Sequence, residues 1–231
     1  VADPAKPVVI SEFHTGDGAF AVLPHRNALY LAGYGPGSSV IAVDIADPRH
    51  PRIADRDYDA AELQGTCALA VEGDTLYAVA YNAGTVSLYD VSDPLRLKRL
   101  SRFRHDAMRG PGRISVRDGT AYVISSTNDT LAALDVTNPS RPTPRYFVQD
   151  ARIKMPYGLA VDGRYVYLAA RQASSFVVLD RRKLEGANGA NPLSRRRVSR
   201  RTFSPARVRP HADAAGCIRS ATCPSRGGRR C

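Results

Sequence analysis

Leu131-Ala132-Ala133-Leu134-Asp135-Val136-Thr137-Asn138-Pro139 is an apolar run that stops at an aspartate and turns at a proline. The same figure stands at residues 40–48, as Val-Ile-Ala-Val-Asp-Ile-Ala-Asp-Pro, and at 86–94, as Val-Ser-Leu-Tyr-Asp-Val-Ser-Asp-Pro. It returns, as far as its aspartate, at Phe176-Val177-Val178-Leu179-Asp180. The aspartates Asp44, Asp90, Asp135 and Asp180 are 46, 45 and 45 residues apart. A second landmark precedes each one: Tyr30, Tyr77, Tyr122 and Tyr167, at separations of 47, 45 and 45. Two landmarks holding one period four times mark an internal repeat of blade size.

Each repeat carries short β-type runs. In the second they are 67–71, 76–81, 85–91 and 98–102, divided by Glu72-Gly73-Asp74, Asn82-Ala83-Gly84 and Ser92-Asp93-Pro94. Gly and Asn supply the positive φ of tight hairpins, and Pro ends pairing. No stretch of 1–180 has helical periodicity. Runs such as Ala78-Val79-Ala80 are apolar at consecutive positions, as a strand covered on both faces requires. A β-sandwich has no reason for a fixed 45-residue period; a ring of blades, each packed between neighbours, has one. The expected fold is all-β: a propeller of four blades of about 45 residues.

The repeat core resembles the LVIVD repeat: an apolar strand ending in Asp, then Val or Ile, a small residue, Asp or Asn, and Pro. The second proline three residues on is present as Pro51 and Pro142, while Leu97 stands in its place in the second repeat. The resemblance covers about 1–180 and implies a propeller, often secreted or at the cell surface. An extracytoplasmic location is therefore expected, although this chain shows no signal peptide at its start. The family brings no catalytic motif. Asp44, Asp90, Asp135 and Asp180, with Pro48, Pro94 and Pro139, are expected to build the turn after the third strand, the carboxylate accepting backbone N–H groups.

Residues 1–7, Val-Ala-Asp-Pro-Ala-Lys-Pro, match 45–51, Ile-Ala-Asp-Pro-Arg-His-Pro. Residues 1–13 therefore read as the outermost strand of a split blade, followed by repeats at 14–59, 60–106 and 107–150 and an incomplete one at 151–186. The first strand either completes the last blade and closes the ring, or the chain is an open part of a larger propeller. Residues 187–231 hold five large apolar residues, Leu193, Val198, Phe203, Val208 and Ile218, too few to offset ordering. They read as a basic disordered tail: an electrostatic arm, a solvated extension, or a stretch translated out of frame.

The net charge of +11 belongs to that end. Residues 181–231 carry 14 basic and 2 acidic groups, leaving 19 basic and 20 acidic in 1–180. Nucleic acid is thus not expected as a partner of the folded body, and no apolar run is long enough for a transmembrane segment. Cys67 reads as a small buried hydrophobe, while Cys217, Cys223 and Cys231 lack zinc-site spacing. No metal and no cofactor is expected. H-E-x-x-H, G-x-S-x-G and phosphate-loop motifs are missing.

Propellers present ligands on the loops at one end of the channel. The candidates are His14, Asp59, His105, Asp106, Arg109, Asp150, Arg152 and Lys154, a polar rim of mixed charge from the connections at 14–18, 57–65, 105–112 and 150–156. The reading this supports is a non-catalytic scaffold for a protein or small ligand. The other is a hydrolase or lactonase-like enzyme with a metal or acid–base site at the channel mouth.

Overall fold

The apolar runs become strands because each is flanked by a turn that reverses the chain and by neighbours that cover both its faces. In the computed structural model, which describes residues 8–35 and 38–185, they form four antiparallel sheets in chain order. Blade 1 is β1 (Gly18–His25), β2 (Ala28–Tyr34), β3 (Ser39–Asp44) and β4 (Arg52–Tyr58). Blade 2 is β5 (Thr66–Glu72), β6 (Thr75–Ala80), β7 (Thr85–Asp90) and β8 (Lys98–Arg104). Blade 3 is β9 (Pro111–Arg117), β10 (Thr120–Ser125), β11 (Thr130–Asp135) and β12 (Thr143–Gln149). Blade 4 has three strands, β13 (Pro156–Val161), β14 (Tyr165–Ala170) and β15 (Ser175–Asp180), followed by the short helix α1 (Arg181–Glu185). The fold is an all-β, four-bladed propeller arrangement.

Register repeats with the sequence. Tyr30 lies opposite Ala42, Tyr77 opposite Leu88, Tyr122 opposite Ala133 and Tyr167 opposite Val178. The repeat aspartates sit at the end of the third strand, and each accepts the N–H two residues on. The donors are Ala46 to Asp44, Ser92 to Asp90, Thr137 to Asp135 and Arg182 to Asp180. A second such turn follows at once: Asp47, Asp93 and Asn138, each just ahead of the proline, accept from Arg49, Leu95 and Ser140. These local bonds stop the ladder and turn the chain into the outer strand.

The core lies between blades. Tyr30, Val40 and Ala42 of blade 1 pack on Leu76, Ala78 and Tyr89 of blade 2. Tyr77, Val86 and Leu88 of blade 2 meet Ala121, Val123 and Leu134 of blade 3. Tyr122, Leu131 and Ala133 of blade 3 meet Val166, Leu168 and Leu179 of blade 4. Each joint is plugged by one fully buried residue from the connection, Leu63, Met108 or Ile153, again at intervals of 45. Polar bonds span the joints too. Glu72 accepts from Asp118 N and Gly119 N, and Arg99 of β8 pairs with Asp57 (2.6 Å) and Asp59 (2.8 Å) of blade 1.

β1 packs on β5, β5 on β9 and β9 on β13, and no packing of that extent joins β13 to β1. Residues 8–15 form no strand and pair with no sheet, so β15 has no outer neighbour among the described residues. Of the two expected arrangements, the sealed ring is not the one observed: the described chain is an open arc. The expected tail, 187–231, and residues 1–7 of the expected outer strand lie outside the described residues.

Candidate functional site

The inner strand of every blade carries a β-bulge at the same repeat position. Pairing slips between Ala19 and Ala21, between Thr66 and Ala68, between Pro111 and Arg113, and between Pro156 and Gly158. The extra residues are Phe20, Cys67, Gly112 and Tyr157, each ten before its repeat tyrosine. A bulge leaves one residue unpaired, bends the strand and re-aims a side chain. All four bulge residues line one pocket. Tyr34, Tyr81 and Ser126, four residues after their repeat tyrosines, complete its wall together with Arg113, Ile124 and Pro156. The cavity measures about 180 Å³ and draws on all four blades.

The repeat fixes the frame, and the residue type at each position sets the chemistry. Phe20 and Tyr34 form a tilted ring pair with centroids 5.2 Å apart. The Arg113 guanidinium sits 5.2 Å over the Tyr157 ring, and its Nη1 donates to Gly112 O at 2.8 Å. Tyr81 shares a 3.3 Å hydrogen bond with Thr127, and the hydroxyls of Thr127 and Ser126 hold its phenol below the ordinary value. Gly110 permits this seat: at φ 61° a Cβ there would lie 2.2 Å from Thr127 Oγ1. Gly112 differs: a Cβ built on it meets no atom within 4 Å, so this position supplies open volume. Cys67 is buried, its thiol faces the carbonyls of Pro111 and Gly112, and burial pushes its pKa up to about 11. A thiol held protonated is a poor nucleophile. The wall therefore offers aromatic faces and one cation, with no carboxylate or imidazole.

The residues singled out from sequence occupy the connecting loops. None of the eight lines this pocket. Asp59 accepts from Ala61 N and Glu62 N, and the Arg99 guanidinium beside it holds its carboxyl below the ordinary value. His105 accepts from Ala107 N at the head of a 3-10 turn and stacks on Phe147 at 4.3 Å. Asp150 plays the same capping part for the turn before β13, and Arg152 folds back onto it at 2.6 Å. The backbone carbonyls of Asp106, Arg109 and Lys154 accept from the Asn128 side chain, the Ser125 hydroxyl and Gln172 N. His14 is exposed, 3.9 Å from Glu12. Among the described residues no three His, Cys, Asp or Glu side chains are grouped to hold a metal ion. Sequence reasoning missed Phe20, Tyr34, Tyr81, Arg113 and Tyr157. Aligning the repeats on their tyrosines and asking where the residue type changes would have found the bulge position.

No protein-family model matches the chain, and no curated protein matches it. Solved structures do. The computationally designed Ika4 protein superposes with a TM-score of 0.55 at 13% identity, over 74% of this chain and 94% of its own. The periplasmic gluconolactonase PpgL of Pseudomonas aeruginosa gives 0.63 at 16% identity, over 74% of this chain and 52% of its own. A functionally unknown protein from Desulfotomaculum acetoxidans gives 0.61 at 10% identity, over 74% and 54%. The chain thus spans about half the length of these two natural proteins. No helix of the described residues is long and apolar enough to cross a membrane. These likenesses reach the fold and no further: the chain is similar to β-propellers, natural and designed.

Proposed function

We propose that this propeller is a non-catalytic binding scaffold whose ligand enters the pocket lined by the four bulge residues. The repeated bulge carries the reading: four blades turn the same position inward, yet fill it with Phe, Cys, Gly and Tyr. The plug position varies too, but stays a large apolar side chain, as Leu63, Met108 and Ile153; the bulge position ranges from aromatic rings to a glycine around one cavity. The aromatic wall and Arg113 suit a compact aromatic or apolar body bearing one anionic group, stacked on Tyr157 and Phe20. The LVIVD-like pattern of the repeat cores and the periplasmic address of one structural neighbour fit a scaffold working outside the cytoplasm. The described body was close to neutral in sequence, so nucleic acid is not the partner we expect for it.

Saturation-transfer NMR with a panel of aryl carboxylates and aryl sulfonates tests this on the purified chain. Binding is expected to be lost in Gly112→Leu, whose Cβ enters open space and whose branched end fills the pocket, and weakened about tenfold or more in Arg113→Gln. The neighbouring gluconolactonase supplies the competing reading, a lactonase-like hydrolase. Sustained turnover of lactones that survives Gly112→Leu, with no aryl anion bound, would replace the scaffold by that enzyme.

A further inference from the structure

Two repeat positions are buried and a third partly buried at every joint inside the arc, and all three are bare at its ends. Val40, Val86 and Leu131 are each 0% exposed, whereas their counterpart Phe176 is 69% exposed. Ala42, Leu88 and Ala133 are fully buried, whereas Val178 is 49% exposed. At the opposite end, Leu69, Ile114 and Leu159 are partly buried against a neighbouring blade, whereas Val22 is 60% exposed. Both bare faces remain apolar although nothing covers them among the described residues.

The segment ahead of blade 1 shows what stands there. Ser11 Oγ donates to Pro48 O at 2.7 Å, as Ser101 Oγ of β8 donates to Pro139 O of the next blade at 2.5 Å. Both serines lie seven residues after their own repeat proline, Pro4 and Pro94. Phe13 lies against Leu31, Ile41 and Val43 of blade 1, and its counterpart Phe103 lies against blade 3. Residues 8–13 thus occupy the outer-strand place of a blade that precedes blade 1, and no inner strands of that blade stand among the described residues. Among the described residues, blade 4 has three inner strands and no outer one.

We propose that a second copy of this chain completes the ring. Blade 4 of each copy docks its Phe176–Val178 face on the Val22 face of the other, and β15 takes residues 8–13 of the other copy as its fourth strand. Each joint then repeats the blade-to-blade interface found three times within the chain, and a two-fold axis along the channel makes the two joints equivalent. Such a head-to-tail contact closes when two arcs make a full turn. The length comparison agrees: the natural propellers matched are about twice as long as the part of them this chain spans. The outer edge of β15, unpaired among the described residues, is the kind of strand that recruits another chain. The proposal does not depend on the pocket lined by the bulge residues.

Sedimentation velocity on the full chain, with hydrogen exchange over β15, tests it. The expected result is one dimeric species, with the β15 amides that face away from β14 protected at high concentration and released on dilution. Phe176→Asp combined with Val178→Asp, at positions exposed within one copy, is expected to raise the dimer dissociation constant at least about a hundredfold. Far-UV circular dichroism should stay unchanged. A monomer at the highest soluble concentration overturns the proposal, as does a dimer that survives both substitutions. An open-ended ladder of oligomers overturns it too, because two arcs would then fail to close.

Discussion

Tyr30, Tyr77, Tyr122 and Tyr167 share one repeat position and use the hydroxyl in different ways. Tyr30 donates to Pro94 O across the first joint, Tyr122 accepts from Arg181 Nε across the third, and Tyr167 donates to Asp162. Burial pushes the phenols of Tyr30 and Tyr77 up to about 12. The ring does the common work of packing, and the polar tip is settled locally. Cys67 follows the same logic at the bulge position, where burial rather than a partner controls its chemistry. With its pKa at about 11, roughly one thiol in a thousand is ionised at pH 8. Iodoacetamide at that pH should leave the Cys67 peptide unmodified in the native chain and label it fully in urea, as read by mass spectrometry. Fast native labelling would mean that the Cys67 thiol itself, and not only the pocket beside it, is open to solvent.

The turns, at the scale of elements, hold the blades in shape. Asp162 closes the β13–β14 hairpin, accepting from the Tyr167 hydroxyl and from the amides of Tyr165 and Arg164, which together hold its carboxyl at about 2. A carboxyl whose folded value lies below its ordinary 3.8 binds its proton less readily in the folded chain. Its contribution is therefore complete above about pH 4 and lost as the pH falls toward 2. Melting curves between pH 5 and pH 2 should show a steeper loss for the wild type than for Asp162→Asn, the two converging at the acid end. Parallel curves would remove Asp162 from the pH response. These turns were legible in the sequence because Asp, Asn, Gly and Pro act through the backbone two or three residues away. The bulges were not, since the residues that fill them share no type and the slip shows only in the pairing of two strands. The loop residues His105, Asp59 and Asp150 were found as charged rim positions. Their work of capping and clamping could not be read because it needs Phe147, Arg99 and the local turn geometry. The choice between a sealed ring and an open arc was not legible for a further reason: whether 8–13 meets β15 depends on how far four blades turn, and no local pattern carries that sum.

For the whole molecule, ring completion is a balance of modest quantities. Burying a side chain the size of Phe176 or Val178 is worth ~1.5–3 kcal/mol, and each of two joints buries both. Against this stands an association cost of roughly 4–15 kcal/mol. The internal joints are each plugged by Leu63, Met108 or Ile153, but the corresponding residue ahead of blade 1 is Gly16, so the joint between copies has no plug. It should be the weakest of the ring and the first to open. A native state that is dimeric gains stability by mass action, so the melting temperature of the wild type should rise with protein concentration. In the Phe176→Asp, Val178→Asp variant it should not change. Calorimetric scans over a hundredfold range of concentration separate the two. A concentration-independent wild type that still sediments as a dimer would place the contact outside the blade faces, because a joint made of strands 8–13 and β15 cannot melt without separating the copies.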